Sequence, residues 1–363
     1  MKRNIFFIFA LLFVTMLGKK TASRPLPLLL VFYILLWIGG CRSDRRERID
    51  VSTIPLDIRV MRFEADMFSI DTSSLEVGLD SLRMRYGSLF DLFAYQITRL
   101  GGPDPEVTAA RFREFVSDTN FRRLERDCRS AFPELDPLNA GLTDAFRHYR
   151  YYLPDAAVPQ VATLVSGFSY PIVCDSSWLG ISLDLYLGPD YPLYNTLQPP
   201  LPNYLRRKMR PEYMVPDAMK GWLMSDYGID ESNAKLIERM VSQGRIQYAL
   251  HALLPETPDS LLSGYSGAQL EWCGNNEQQV WSFFIDQKLL FSADPNVLLK
   301  YAGEGPSTGG FPKESPGNIA LYIGWRIVES YMERHPDVSI RQLLEEKDLN
   351  RVYQESGYKP HKP

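Results

Sequence analysis

Three regimes of apolar spacing run along this chain. Residues 25–50, PLPLLLVFYILLWIGGCRSDRRERID, are a charge-free apolar run that stops at one cysteine and turns polar. Beyond residue 54, short stretches with a period of two alternate with long stretches near 3.6, the signatures of strands and amphipathic helices. In IPLDIRVMRFEADMF (54–68), Ile54, Leu56, Ile58 and Val60 alternate with other residues and predict a strand; Phe63, Met67 and Phe68 then begin a different element. Residues 73–102 read as a helix with Leu75, Leu79, Leu82 and Tyr86 on one face. Phe90, Phe93 and Ile97 continue it past Gly87, and Gly101-Gly102-Pro103 ends it. Asp104 caps the next helix, with Pro105 in its first turn. NFRRLERDCRSAFPEL is a further short helix, and residues 141–155 form another that stops at Pro154.

Residues 158–194 are rich in Val, Ile, Tyr and Trp. Val161, Thr163 and Val165 mark one strand. Leu179, Ile181, Leu183 and Leu185, alternating with Gly180, Ser182, Asp184 and Tyr186, mark a second, with Cys174–Ser177 as a turn between them. The expected pairing is a long-looped hairpin. Everything after it is helical. Two helices are broken around Pro211 and Pro216. A stripe of Leu236, Ile237, Met240, Val241, Tyr248 and Ala249 follows, then capping boxes at Ser266/Gln269 and Asn275/Gln278. A second stripe from Ala320 to Tyr331 and a last helix from Ser339 complete the chain. The expected fold class is therefore α+β, mostly helical, with a small antiparallel sheet, as one domain over residues 54–363. The Gly- and Pro-rich loop 303–317 is the one weak internal boundary.

The apolar start sets the compartment. From Pro25 to Ile38 there are fourteen uncharged residues, short of the ~20 that a spanning helix needs. Ile38-Gly39-Gly40-Cys41 reads as a lipobox. Residues 1–40 are then a lipoprotein signal peptide, Cys41 carries the lipid, palmitate included, and 41–53 is a polar tether. A second apolar run, Ile5–Leu17, precedes Lys19, Lys20 and Arg24, one run too many for a leader. A start at Met16 resolves this and makes residues 1–15 an over-called start; the rival is an amino-terminal helix with a reverse turn at Pro25. The blander reading is a plain transmembrane anchor with an incidental Cys41.

Charge and cysteines narrow the partners. The leader holds five basic residues and no acids, which leaves 35 Lys and Arg against 44 Asp and Glu in the mature chain, a net charge of −9. Such a chain gains nothing from phosphate backbones, so nucleic acid is not an expected partner. Cys128, Cys174 and Cys273 allow one disulfide or three packed thiols, and spacing does not choose.

Catalytic motifs are sparse. There is no HExxH, GxSxG, Walker loop or dinucleotide glycine pattern, and the four histidines, His148, His251, His335 and His361, are far apart. Zinc would need His148 and His251 brought together with a carboxylate such as Glu238; packing or a satisfied hydrogen bond is the plainer role for both histidines. No cofactor is expected. Asp184 falls opposite the Leu face of its strand, which predicts a solvated side chain. With Asp190 and the aromatics Tyr186, Tyr191 and Tyr194 it forms a candidate surface for a partner, a peptide added at a strand edge, or a glycan, against ordinary packing among prolines.

Several stretches carry a resemblance. FRHYRYYLPDAAVPQVATLVSGFSYPI, LGISLDLYLGPDYPLY, GRIQYALHALLP, GYSGAQLEWCGNNEQQVW and SPGNIALYIGWRIVESYM follow the lipobox in an order that resembles the gliding-motility lipoprotein GldB family, over roughly residues 54–360. The resemblance implies a lipid-anchored cell-envelope protein, on the periplasmic face of the outer membrane or else on the inner membrane. Its expected partners are envelope proteins of a motility machine and the associated secretion apparatus, with no catalysis implied. The family also occurs in cells that do not glide. It is remotely similar in turn to HExxH zinc metallopeptidases. That implies a degenerate zincin-like core built from the strand at 179–187, the helix at VPDAMKGWLMSD and the helix at AKLIERMVSQGRIQY, and an atypical metallohydrolase as the alternative activity.

Overall fold

A computed structural model describes residues 49–230 and 232–361; the apolar start and Cys41 lie outside the described residues. Four strands form one sheet: β1 (Met61–Arg62), β2 (Gln160–Leu164), β3 (Ile172–Cys174) and β4 (Trp178–Ser182), in the order β1-β2-β4-β3. Helices of six residues or more are α1 (Phe63–Phe68), α2 (Leu75–Tyr86), α3 (Pro105–Ser117), α4 (Thr119–Ala131), α5 (Asp136–Tyr152), α6 (Met214–Tyr227), α7 (Leu236–Leu253), α8 (Gly267–Asp286), α9 (Pro295–Ala302), α10 (Ile319–Arg334), α11 (Ile340–Glu345) and α12 (Leu349–Ser356). The mostly helical α+β class is as the periodicity predicts.

The sheet is mixed, not antiparallel. β2 pairs parallel with both β1 and β4, and only β3 runs antiparallel to β4. The tight turn at Cys174–Ser177 is real: Asp175 Oδ1 accepts from the amides of Ser177 at 2.7 Å and Trp178 at 2.8 Å. It joins β4 to three-residue β3, so the hairpin is β3–β4, and β4 slots between β3 and β2. The two strands expected to pair, β2 and β4, are neighbours, but they run parallel; a three-residue β3 is too short to carry a period-two signal, so alternation alone missed the strand that makes the hairpin.

Both faces of β4 are covered, as is usual for a central parallel strand. Leu179 and Ile181 join Val161 in a core with α5 and α6, whereas Trp178 joins Ala162, Leu164 and Val173 in a second core with α1, α2 and α3. Gly180 faces this second core. A Cβ there would lie 2.6 Å from Val173 Cγ2 and 2.9 Å from Leu164 Cδ2. Small residues on that face thus mark close packing rather than exposure. The third core, between α7, α8, α9, α10 and α12, fills the carboxy-terminal half.

Other expectations shift by a few residues. The segment before β1 is extended, but its amides bond to α5 side chains (Ile58 N to Thr143 Oγ1 at 2.9 Å, Val60 N to Asn139 Oδ1 at 3.0 Å), so only Met61 and Arg62 join the sheet. The 73–102 helix is interrupted at Gly87 and resumes as a short α-turn and a π-helical turn, Leu92–Ile97. Pro216 sits in the first turn of α6 and does not break it. Asn275 and Gln278 lie inside α8, whose cap is Ser266 with Gln269. Loop 303–317 is knitted to the body: Thr308 is buried, and its hydroxyl donates to Pro316 O at 2.6 Å.

Two buried carboxyls make stability depend on pH. Burial pushes Glu64, in α1, up to about 7 against the opposing pull of Thr163, whose hydroxyl donates to it at 2.8 Å, and of Arg62. Burial pushes Asp184 up to about 6 against amides of Phe168 and Ser166. In both, the folded value exceeds the unfolded one, so the penalty for burying the ion is absent below about pH 4 and grows as pH rises through about 6 and 7. Each group accounts for on the order of 3 kcal/mol across its window. Urea midpoints are therefore expected to fall between pH 5 and pH 8, and Glu64→Gln is expected to flatten that fall; a midpoint unchanged or rising over this range contradicts it.

Candidate functional site

The residues singled out from the sequence divide between the interior and the surface. Asp184 is fully buried, a correction to its expected exposure. The chain leaves β4 at Ser182 and turns through a 3₁₀ segment, which carries the Asp184 carboxylate inward. There it accepts from Phe168 N at 2.6 Å and Ser166 N at 3.1 Å. Tyr194 is also buried, and its hydroxyl donates to Asp184 O at 2.7 Å. Tyr191 is half-buried; it donates to Asp127 Oδ2 at 2.7 Å and packs with Tyr194 at a ring-centroid distance of 5.2 Å. Asp190 alone of the five is exposed. Three of the five thus hold a loop together from inside. β4 is not a sheet edge, so it offers no place for an added strand.

Tyr186 ties its loop to α6. Its ring is buried, and its hydroxyl donates to Asp217 Oδ2, in the first turn of α6, at 3.0 Å. Burial pushes Asp217 up to about 6, opposed by Lys220 one turn further along α6 and by Tyr186. Burial pushes the Lys220 ammonium down, opposed by Glu304 and Asp217 and reinforced by Lys208. Lys208 Nζ pairs with Glu304 Oε2 at 2.9 Å, and Arg207 donates to Gly264 O at 2.8 Å. Arg207 also lines an open cleft of about 700 Å³ between the turn at Asn203–Arg206, the start of α8 and loop 303–317. Tyr204, Arg207, Trp272, Lys313 and Glu314 line it. The cleft joins residues 203–207, 266–275 and 306–314, segments with no shared motif, so no spacing along the chain pointed to it. The one available clue was the density of charge and aromatics in NYLRRKM.

His148 and His251 each have polar neighbours of their own. His148 Nδ1 lies 3.0 Å from Asp144 O on α5. His251, near the end of α7, lies 3.3 Å from Gln247 and 3.4 Å from Asp259. Glu238 accepts from Lys235 N at the other end of α7, about 20 Å away at 1.5 Å per residue. Among the described residues no three His, Cys, Asp or Glu side chains come together in a group that could hold a metal ion. Cys128, Cys174 and Cys273 are unpaired; burial raises the pKa of all three thiols.

A mixed sheet wrapped by helices, with Glu64, Asp184 and Tyr194 turned inward and an open cleft lined by charged and aromatic side chains, makes a mostly helical α+β protein. The family model described as gliding motility protein GldB matches residues 44–360, and the chain belongs to that family. It is a gliding-motility-linked protein. No curated protein and no solved structure matches it. No helix of the described residues is long and apolar enough to cross a membrane.

Proposed function

We propose that the mature chain is an envelope lipoprotein, held to the membrane by lipid on Cys41, that works by binding a partner protein of the motility and secretion machinery rather than by catalysis. The observation that carries this is the cleft. Its two aromatic side chains, Tyr204 and Trp272, beside Arg207 and a rim of both charges, have the composition of protein-binding hot spots. Anchoring is supported by the lipobox and by the lipoprotein designation of the family. The anchor faces the periplasm, on the outer membrane in the favoured arrangement.

Two variants test the halves separately. Cys41→Ser is expected to move the protein from the membrane to the soluble envelope fraction; equal retention sinks the anchor. The double variant Arg207→Ala, Trp272→Ala is expected to stay membrane-bound and folded while losing a partner that co-purifies with the unaltered protein; an unchanged set of co-purified proteins sinks the cleft as the contact surface.

A further inference from the structure

The cleft offers aromatic rings and hydrogen-bond donors but few acceptors. Tyr204 and Trp272 line two different walls, the turn at Asn203–Arg206 and α8, and both are half-buried. Phe311 of loop 303–317 packs edge-on against Trp272 at a ring-centroid distance of 6.2 Å and rests in turn on Phe283 at 4.9 Å, which holds the indole in place. The Trp272 indole N–H and the Tyr204 hydroxyl have no hydrogen-bond partner among the described residues. Arg207 commits one nitrogen to Gly264 O at 2.8 Å and has donors left over. The amide and hydroxyl oxygens are used locally instead. Asn203 Oδ1 accepts from Arg206, Gln269 Oε1 accepts from Ser266 N at 3.0 Å, and Ser266 Oγ accepts from Gln269 N at 3.2 Å. The charges of the lining cancel, with Arg207 and Lys313 against the exposed carboxylates Glu271 and Glu314.

We propose that the cleft receives an uncharged proline-rich segment of the partner protein in its polyproline II form; this rests on the reading of the cleft as a partner-binding surface. Such a segment complements the lining. Its prolines carry carbonyls that accept hydrogen bonds and no N–H that needs an acceptor. Polyproline II has no internal hydrogen bonds, so those carbonyls are open to Trp272, Tyr204 and Arg207. Pyrrolidine rings pack on the faces of indole and phenol, and a segment already extended before it binds loses little conformational freedom. A glycan matches less well. Each sugar hydroxyl donates as well as accepts, and the amide oxygens of Asn203 and Gln269 that would receive those protons already hold their own turns together. The cancelled charge gives neither an acidic nor a basic segment an advantage over a neutral one.

The test is a titration of the full chain in detergent, read by fluorescence anisotropy. The probes are a fluorescein-labelled hexaproline with blocked ends, an equally long and equally labelled Gly-Ser peptide, and chitotetraose as competitor. Hexaproline is expected to bind saturably and about tenfold more tightly than the Gly-Ser peptide, with an affinity little changed by added salt. Trp272→Ala is expected to erase the preference. Trp272→Phe and Tyr204→Phe keep a ring and remove a donor, and each is expected to weaken hexaproline binding about threefold to tenfold. Equal binding of both peptides, an undiminished preference in Trp272→Ala, or displacement of hexaproline by chitotetraose overturns the proposal. Should Trp272→Ala fail to fold, the indole N–H resonance of Trp272 in the unaltered chain, assigned by its loss in Trp272→Phe, decides: a saturable shift with hexaproline supports the site, and no shift overturns it. Loss of the co-purifying partner in the Arg207, Trp272 double variant, with no hexaproline preference in the unaltered chain, overturns this inference alone and leaves the cleft as a protein contact.

Discussion

Gly324→Ala is expected to leave the chain unable to hold its native fold, or to lose about 3 kcal/mol or more of stability where it does. Gly324, on α10, and Gly244, on α7, lie where these two helices touch backbone to backbone. A Cβ on Gly324 would fall 1.7 Å from the Met240 carbonyl oxygen and 2.9 Å from Met240 Cα; one on Gly244 would fall 2.2 Å from the Gly324 carbonyl oxygen and 2.7 Å from Trp325 N. Overpacking ordinarily costs ~1–3 kcal/mol because side chains can yield. Here the obstacle is main chain on both sides, so the helices must separate. Met240, Val241, Ile323 and Ile327, all fully buried between them, lose packing together. Urea unfolding followed by near-ultraviolet circular dichroism measures this. Gly274→Ala, on α8, is the control: the nearest atom to its added methyl is the Tyr322 hydroxyl at 3.9 Å, so a gain of up to about 1 kcal/mol from helix propensity is expected. Equal effects of the two substitutions refute the close crossing.

The second large effect centres on Glu277, a buried carboxylate on α8. Oε1 accepts from the Tyr358 hydroxyl at 2.8 Å and from His361 N at 3.0 Å, while Oε2 accepts from the Tyr322 hydroxyl at 3.2 Å and lies 3.5 Å from Arg326 Nε. One side chain therefore ties the end of the chain to α8 and α10. Glu277→Ala strips a partner from two hydroxyls, one amide and one guanidinium. Breaking a buried ion pair costs ~3–5 kcal/mol. Arg326 is 38% exposed and keeps Glu329, so the lower end is expected, about 3 kcal/mol. Glu277→Gln keeps the shape and is expected to cost less than half as much. The specific readout is proteolysis: chymotryptic cleavage after Tyr358 is expected to accelerate in Glu277→Ala before the rest of the protein unfolds. A variant that melts like the unaltered protein and resists cleavage there shows that the end of the chain is held by other contacts, such as Tyr358 against Trp281.

Local signals translated well wherever a residue acts on its own turn of chain. Asp104 caps α3 by accepting from Glu106 N and Val107 N, Pro105 opens the helix, Ser266 forms the expected box with Gln269, and α11 starts after Ser339 as expected. The stripes on α2, α7 and α10 are the buried faces. Asp184 shows the opposite case. Its position opposite a Leu face predicts exposure only if one side of the strand meets water, and here both sides meet helices. Asp184 and Tyr194 were singled out as chemically conspicuous, and they are, but as an internal brace.

From the sequence alone came the helical α+β class, the cap and stripe positions, the acidic mature chain, the lipobox reading of Cys41 and the likeness to the GldB family, because each rests on neighbours within a few residues or on overall composition. The order and direction of the strands, the burial of Asp184 and Tyr186, and the cleft were decided only in three dimensions. Each depends on which distant segments pack against a given face. A side chain's environment is the sum of those contacts, and one-dimensional spacing does not contain it.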